Sequence, residues 1–421
     1  MNILLINIRY GYVGGPERYM LNLKTLLESN QHRVIPFSVR YKINEPSEFD
    51  KYFVSPLDDE NTYYFKNQKW NIKSIIKTLE RNFYSKEVER NLSRLIKDAK
   101  PDFAFVLLYL RKLSPAVLTT LKHNKIPFLV RLSDYGMICP SHNLFRENSI
   151  CELCTTGNLF HSVQYKCVHD SYGASLVNYL ATKYHMNKGY FNLIDKFVSP
   201  SKFLIQKMVD AGWSKEKFSH LPTFAYVPET RLYKKNPYQI IYSGRLEYIK
   251  GVHHLLQSVK ILSEKHSMIV RLKLAGNGNE KYILELKNYC SKNNLSGVEF
   301  MGNLYKEELF RHIQESVFSV IPSLCYDNLP NSALESLSLG TPLIATDHGC
   351  FPELVKENET GFLFKHGNVD DLAVKMKLLF DNSELCREMS HKAVAFIKEN
   401  YSPQKHYDSL ISVIEKIKSV D

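Results

Sequence analysis

Two acidic residues, Asp327 and Glu335, bracket a stretch in which Asn328, Leu329, Pro330 and Asn331 lead into a helical pattern. Carboxylates accept hydrogen bonds from hydroxyls, and the amides at a helix amino end favour anions. The combination suits a sugar nucleotide, with its hydroxyls on the acids and its phosphates near the amides of residues 331–333. A second group stands upstream in YSGRLEYIKG, where Gly244 turns the backbone and Arg245 and Lys250 follow. Arg presents a planar fork and Lys a point charge, so the pair can clamp a diphosphate; taken alone, the string also describes a solvated loop. A third group, Gly276-Asn277-Gly278, ends another apolar run.

Four of the eight cysteines are clustered: Cys139, Cys151, Cys154 and Cys167, with eleven, two and twelve residues between them. A C-x2-C pair flanked by two further cysteines suits a closed structural zinc site. Without a second such pair, buried free thiols describe the set equally well. Cys290, Cys325, Cys350 and Cys386 are scattered and read as small buried hydrophobes.

The elements that must position these groups alternate. Apolar strand-like runs at 3–8, 34–39, 103–108, 127–132 and 196–199 are interleaved with helical patterns, one of them Pro16 to Glu28 with Pro in its first turn. A second set follows at 238–242, 270–275, 298–301, 317–321, 342–345 and 361–364, with Gly340 as a helix C-cap before the fifth run. Alternation of this kind predicts α/β architecture with parallel sheets, and parallel strands end on one edge, so the three chemical groups can converge. The pattern relaxes at 221–237, which contains three prolines. This predicts a first domain over 1–222 with a cysteine-containing insertion at about 134–170, a second over 237–400, and a last helix over 401–421.

Length agrees, since 421 residues suit two domains of about 200 each. A charge of +11 leaves nucleic acid, an anionic membrane face or anionic small substrates as partners. No compact Lys/Arg run interleaved with aromatics supports nucleic acid. Between Lys66 and Lys100, Lys73, Lys77 and Arg81 fall at helical spacing opposite Ile72, Ile76, Leu79 and Phe83. That predicts a helix with a solvated basic face and an apolar core face; the other reading is a helix resting on acidic headgroups. The amino end lacks a basic, then apolar leader pattern, and the longest apolar run, Phe103 to Leu110, has eight residues where a membrane span needs roughly 20. The expectation is a cytoplasmic protein, peripheral at most on the inner face of the plasma membrane.

The stretches VGGPERYMLNL, YSGRLEYIKG, LKLAGNG, VEFMGNL, NLPNSALESLSLGTPLIATDHG and GFLF resemble the retaining nucleotide-sugar glycosyltransferases of family 4. The resemblance implies the GT-B fold: two Rossmann-like, doubly wound domains facing across a cleft, with the last helix crossing back to the first. It also implies that Arg245 and Lys250 hold the donor diphosphate, that Glu335 binds the ribose, and that 327–331 lies against the donor sugar and phosphates. Gly244, Gly276 and Gly278 would line the donor, Gly14 and Gly15 would close over it, and Asp134 would stand on the acceptor side. The sequence departs from the family pattern twice, with Asp327 where many members have Glu and Ser133 where many have His. Front-face chemistry in such a site needs no protein nucleophile, and without an Asp-x-Asp cluster no catalytic metal or other cofactor is expected. The implied activity is transfer of a hexose-type sugar from a nucleoside diphosphate to a polysaccharide or lipid-linked oligosaccharide. Ser133 keeps open a sugar-nucleotide-binding protein without transfer activity, and another GT-B enzyme such as an epimerase is the further alternative.

Overall fold

A computed structural model of the chain describes residues 1–61, 71–227 and 234–419. Parts of the basic stretch that begins at Lys66 and of the 221–237 stretch lie outside the described residues. Fourteen strands are described. The first unit holds β1 (Asn2–Ile6), β2 (Arg33–Phe37), β3 (Phe103–Val106) and β4 (Phe128–Arg131), and, after the short antiparallel hairpin β5 (Phe145–Arg146) and β6 (Ser149–Ile150), β7 (Lys196–Ser199) and β8 (Phe218–His220). Its sheet is parallel in the order β2-β1-β3-β4-β7-β8. The second unit holds β9 (Gln239–Ser243), β10 (Arg271–Ala275), β11 (Val298–Gly302), β12 (Phe318–Ile321), β13 (Leu343–Thr346) and β14 (Gly361–Phe364), parallel in the order β11-β10-β9-β12-β13-β14. Helices cover both faces of such sheets, so the inner strands read as nearly continuous apolar runs, as FAFV in β3 and FSVI in β12 do.

The first unit comprises Met1–Leu144, Cys151–Leu221 and the chain from Tyr407 onward, so most of the last helix, Pro403–Lys418, belongs to it. The second comprises Phe145–Ile150 and Pro222–His406. In the first, Phe103, Phe105, Phe128 and Phe197 are fully buried. In the second, Ile240, Leu274, Phe318 and Phe364 are buried in one core, and Leu343, Ala345, Ala333 and Leu337 in another. Among the described residues no helix is long and apolar enough to cross a membrane.

One expectation is reversed. The helix Ile72–Phe83 forms, capped by Asn71, but its apolar stripe faces outward: Ile72 is 79% exposed, Ile76 54%, Ile75 46% and Leu79 40%. Of its basic side, Arg81 is buried and Lys77 half-buried, while Lys73 stays exposed. Arg81, 1% exposed, pairs with Glu87 at 2.8 Å and donates to the Ser55 carbonyl, while Lys77 donates to Ser55 Oγ and to the Pro56 carbonyl. A buried cation persists only with such partners, and these come from segments that helical spacing does not reveal.

Beside this helix lies Tyr172–Asn187, whose His185 is 3% exposed and donates from Nε2 to the Asn82 carbonyl at 2.8 Å. Burial pushes that imidazole down from 6.5 to about 4. Between these values the unfolded chain binds the proton and the folded chain does not, so stability falls as pH drops from 6.5 toward 4. The full loss from this one group is roughly 3 kcal/mol. Urea denaturation at pH 7 and pH 5 measures it, and H185Q should flatten the slope; an unchanged slope would place the acid sensitivity elsewhere.

Candidate active site

In the second unit the chain runs outward from β9 through β10 to β11 and returns to lay β12 on the other side of β9. The strand order therefore switches between β9 and β12, and in open parallel sheets the crevice at the carboxyl ends of such strands receives ligands. Arg245 and Lys250 follow β9; residues 327–331 follow β12.

The structure joins two residues that the sequence gives separate tasks. Lys250 Nζ and Asp327 Oδ1 form an ion pair, the two side chains only 17% and 12% exposed, and Ser323 Oγ donates to the other oxygen of Asp327. Burial alone would raise the Asp327 carboxyl, but Lys250, Ser323 and Arg245 outweigh it and hold it below the ordinary range. Burial likewise lowers Lys250, and Asp327 more than compensates, so both stay charged. An ammonium has three donors, which leaves capacity on Lys250 beyond Asp327. Arg245 is 62% exposed at its side chain and pairs with Glu247 at 2.9 Å.

Backbone contacts bring these groups together. Leu324 N–H donates to the Ile249 carbonyl at 2.9 Å, and Gly251, at φ +68°, lies so close to the strand-β12 loop that a Cβ there would sit 1.9 Å from the Pro322 oxygen. The 244–246 and 276–279 loops are zipped in the same way: Gly244 N–H to Ala275 O, Leu246 N–H to Asn277 O and Asn279 N–H to Leu246 O. A Cβ on Gly276 would meet Gly244 O at 1.9 Å, and one on Gly278 would meet Leu246 O at 2.2 Å. Close backbone approach thus accounts for these glycines whether or not a ligand is bound.

The helix Asn331–Ser338 starts at Pro330, which supplies no side-chain cap, and Gly340 follows its end at φ +69°. Glu335 is half-buried on this helix. The loop before it is held from behind: Leu329, buried at φ +67°, donates its N–H to Cys350 Sγ at 3.0 Å, and Cys350 N–H reaches the Asp327 carbonyl at 3.3 Å. A left-handed Leu is uncommon and needs such support. Spacing gave no sign of Cys350, Ser323 or His348, whose Nε2 donates to the Ser323 carbonyl at 3.0 Å.

In the first unit Gly14 is the N-cap of the helix Gly15–Ser29 and lies 3.0 Å, at a built Cβ, from Glu17 Oε2. Glu17, 1% exposed, pairs with Arg9 at 3.0 Å across the same turn, an arrangement the glycine pattern did not indicate. A cavity of about 770 Å³ opens beyond the ends of β3 and β4. Leu107, Leu132, Met137 and Val177 are among its apolar lining, with Arg111, Lys112, Arg131, Asp134 and His142 among its polar lining. Asp134 accepts from the Gly136 amide at 2.8 Å and lies 3.2 Å from His142 Nδ1. Burial opposes its charge, yet His142, the amide and Arg111 together keep Asp134 ionised below its ordinary range. Burial and Arg111 push the His142 imidazole down, so it is neutral at neutral pH. The fold places His142 against Asp134, nine residues from Ser133.

The four clustered cysteines are thiols, and burial together with Cys139, Cys167 and Cys151 pushes the Cys154 thiol up to about 12. Among the described residues no three His, Cys, Asp or Glu side chains are arranged to hold a metal ion. The four thiols are neighbours.

An uncharacterized glycosyltransferase of Methanocaldococcus jannaschii is 27% identical over 233 residues, 55% of this chain and 62% of its own length. The chain thus spans less than two thirds of that relative. Sucrose-phosphate synthase from Thermosynechococcus elongatus shares the fold with a TM-score of 0.70 at 14% identity over 100% of both chains. Anabaena HepE, solved in complex with UDP-glucose, does so with a TM-score of 0.65 at 15% identity, over 99% of this chain and 100% of that one. Residues 228–396, which carry the switch-point groups, match the model of the family Glycosyl transferases group 1, in a chain with the GT-B α/β fold.

Proposed function

We propose that this protein moves a hexose-type sugar from a nucleoside diphosphate to a hydroxyl of a glycan or lipid-linked acceptor, with retention at the anomeric carbon and no catalytic metal. The observation that carries this reading is the Lys250–Asp327 pair, with Arg245 nearby, at the switch point where the Asn331–Ser338 helix begins. The family match over 228–396 and the UDP-glucose in the HepE structure support a nucleotide-sugar donor.

As the bond from the anomeric carbon to the diphosphate breaks, negative charge grows on the leaving oxygens. Arg245, the remaining donors of Lys250 and the helix amino end neutralise it, an electrostatic task in a site already organised for it. The sugar passes through an oxocarbenium-like state, the acceptor oxygen bonds to the same face, and its proton goes to the leaving diphosphate. Glu335 takes the ribose hydroxyls. In the first unit we assign the acceptor side to the cavity of Asp134 and His142. With Nδ1–H turned to Asp134, the neutral imidazole keeps Nε2 as an acceptor for a hydroxyl.

A panel of nucleotide sugars tests the reading. Slow donor hydrolysis or transfer is expected with one of them, and Glu335→Ala should weaken that donor's binding by roughly 1.5 to 3 kcal/mol, the value of a charge-assisted hydrogen bond. Unchanged affinity in calorimetry would mean the ribose lies elsewhere. Tight donor binding without turnover, lipid-linked acceptors present, would make this a binding protein.

A further inference from the structure

The outward apolar stripe on Ile72–Phe83 does not stand alone. On the neighbouring helix Tyr172–Asn187, Tyr172, Leu176 and Leu180 recur every four residues and are 59%, 42% and 45% exposed. Phe160, edge-on to Tyr179 of that helix, is 42% exposed. Eight large apolar side chains on the two helices, Met186 included, exceed the scattered single exposures of an ordinary surface.

The two helices line one space. Ile75 and Leu79, both on the exposed stripe, also line the 770 Å³ cavity, as do Gly173, Ala174 and Val177 of the second helix. On the two helices themselves the charge is one-sided, although the exposed Asp170 precedes the second. Lys73, Lys183 and Lys188 are exposed, the helix Tyr172–Asn187 has no acidic residue, and Glu80 is the one acid on Ile72–Phe83. Deeper in, Arg111, Lys112 and Arg131 stand against the single carboxylate of Asp134 in the cavity lining.

We propose that these two helices seat on an anionic lipid bilayer, with the cavity mouth opening onto it. Amphipathic helices lie in the interface when apolar side chains enter the headgroup boundary and lysines meet acidic headgroups. A second copy of the chain would bring the same lysines face to face, and a cationic surface against itself is repelled. The inference extends the sugar-transfer reading, since it uses the cavity assigned there to the acceptor, but it draws on none of the second unit's residues, so vesicle binding and donor turnover can fail separately.

Co-sedimentation of the full chain with vesicles tests it. Binding is expected to phosphatidylcholine vesicles containing about 30% phosphatidylglycerol and to fall steeply with salt, with little binding to phosphatidylcholine alone. The variant Ile72→Ser/Ile76→Ser/Leu180→Ser should bind at least about tenfold less, because three apolar anchors are lost. A second variant, Lys73→Glu/Lys183→Glu, should lose binding to the anionic vesicles specifically. All of these positions are exposed, so melting temperature and vesicle-free donor turnover should match the parent chain. Failure to bind anionic vesicles, or undiminished binding by both folded variants, overturns the proposal. Dimers in sedimentation equilibrium that the serine variant dissolves, without vesicle binding, would give the face to a second copy instead.

Discussion

Lys250→Ala should lower folding stability by about 3 to 5 kcal/mol and remove sugar-nucleotide turnover, because it strips the partner from a buried carboxylate. In the parent chain Asp327 is 12% exposed at its side chain and stays ionised through Lys250, Ser323 and Arg245. Its folded pKa lies below the ordinary 3.8, so the pair contributes stability above that pH and loses it as pH falls through the folded value. Without Lys250 the carboxylate must either stay charged and poorly compensated or take up a proton, and both cost stability. The double variant Lys250→Met/Asp327→Leu separates the two roles. Replacing a buried pair by apolar groups of similar volume is often neutral, so most of the lost stability should return. Turnover should not, since neither cation nor carboxylate is restored at the switch point. Denaturant midpoints and kcat/KM for the three proteins decide it. A single variant within about 1 kcal/mol of the parent would mean the pair is no better than a surface salt bridge, and a double variant that regains turnover would remove Lys250 from the chemistry.

Much of the fold was legible because parallel strands buried on both faces are largely apolar: NILLI, FAFV, FLVR, FSVI and GFLF each carry at most one polar residue. The edge strand Phe218–His220 was not, since only Phe218 is buried in three residues, and the hairpin strands 145–146 and 149–150 are too short to carry a period. Helical spacing found both faces of Ile72–Phe83 but could not say which turns inward. That was settled by Ser55 and Glu87, which take up Lys77 and Arg81 from other segments. The candidate site shows the same division. Spacing located Arg245, Lys250, Asp327 and Glu335, whose types and places after strands are local properties. It could not show that Lys250 and Asp327 hold each other, that Cys350 supports Leu329, or that His142 meets Asp134, because those contacts exist only once distant loops are brought together.

Gly251→Ala should be among the most damaging single methyls in the second unit's site, costing on the order of 2 to 4 kcal/mol and weakening donor binding at least about tenfold. Two effects add. At φ +68° an L side chain pays roughly 1 to 2 kcal/mol for the left-handed backbone. The new Cβ would also lie 1.9 Å from the Pro322 oxygen, which is backbone and cannot rotate aside as a side chain would. The loop after β9 must then move away from the loop after β12, breaking the Leu324-to-Ile249 hydrogen bond and drawing Lys250 from Asp327. Gly212 provides the control: at φ +90° it shares the left-handed conformation, but nothing lies within 4 Å of a built Cβ. Gly212→Ala should therefore lose only the conformational part, about 1 to 2 kcal/mol, with donor affinity untouched. The difference between the two variants in urea unfolding measures the contact, and the difference in donor affinity measures how far Lys250 depends on it. Equal costs for both would show that the 322–324 loop yields freely, and the geometry of the pair would then have to be maintained by Ser323 and the Cys350 side of the loop alone.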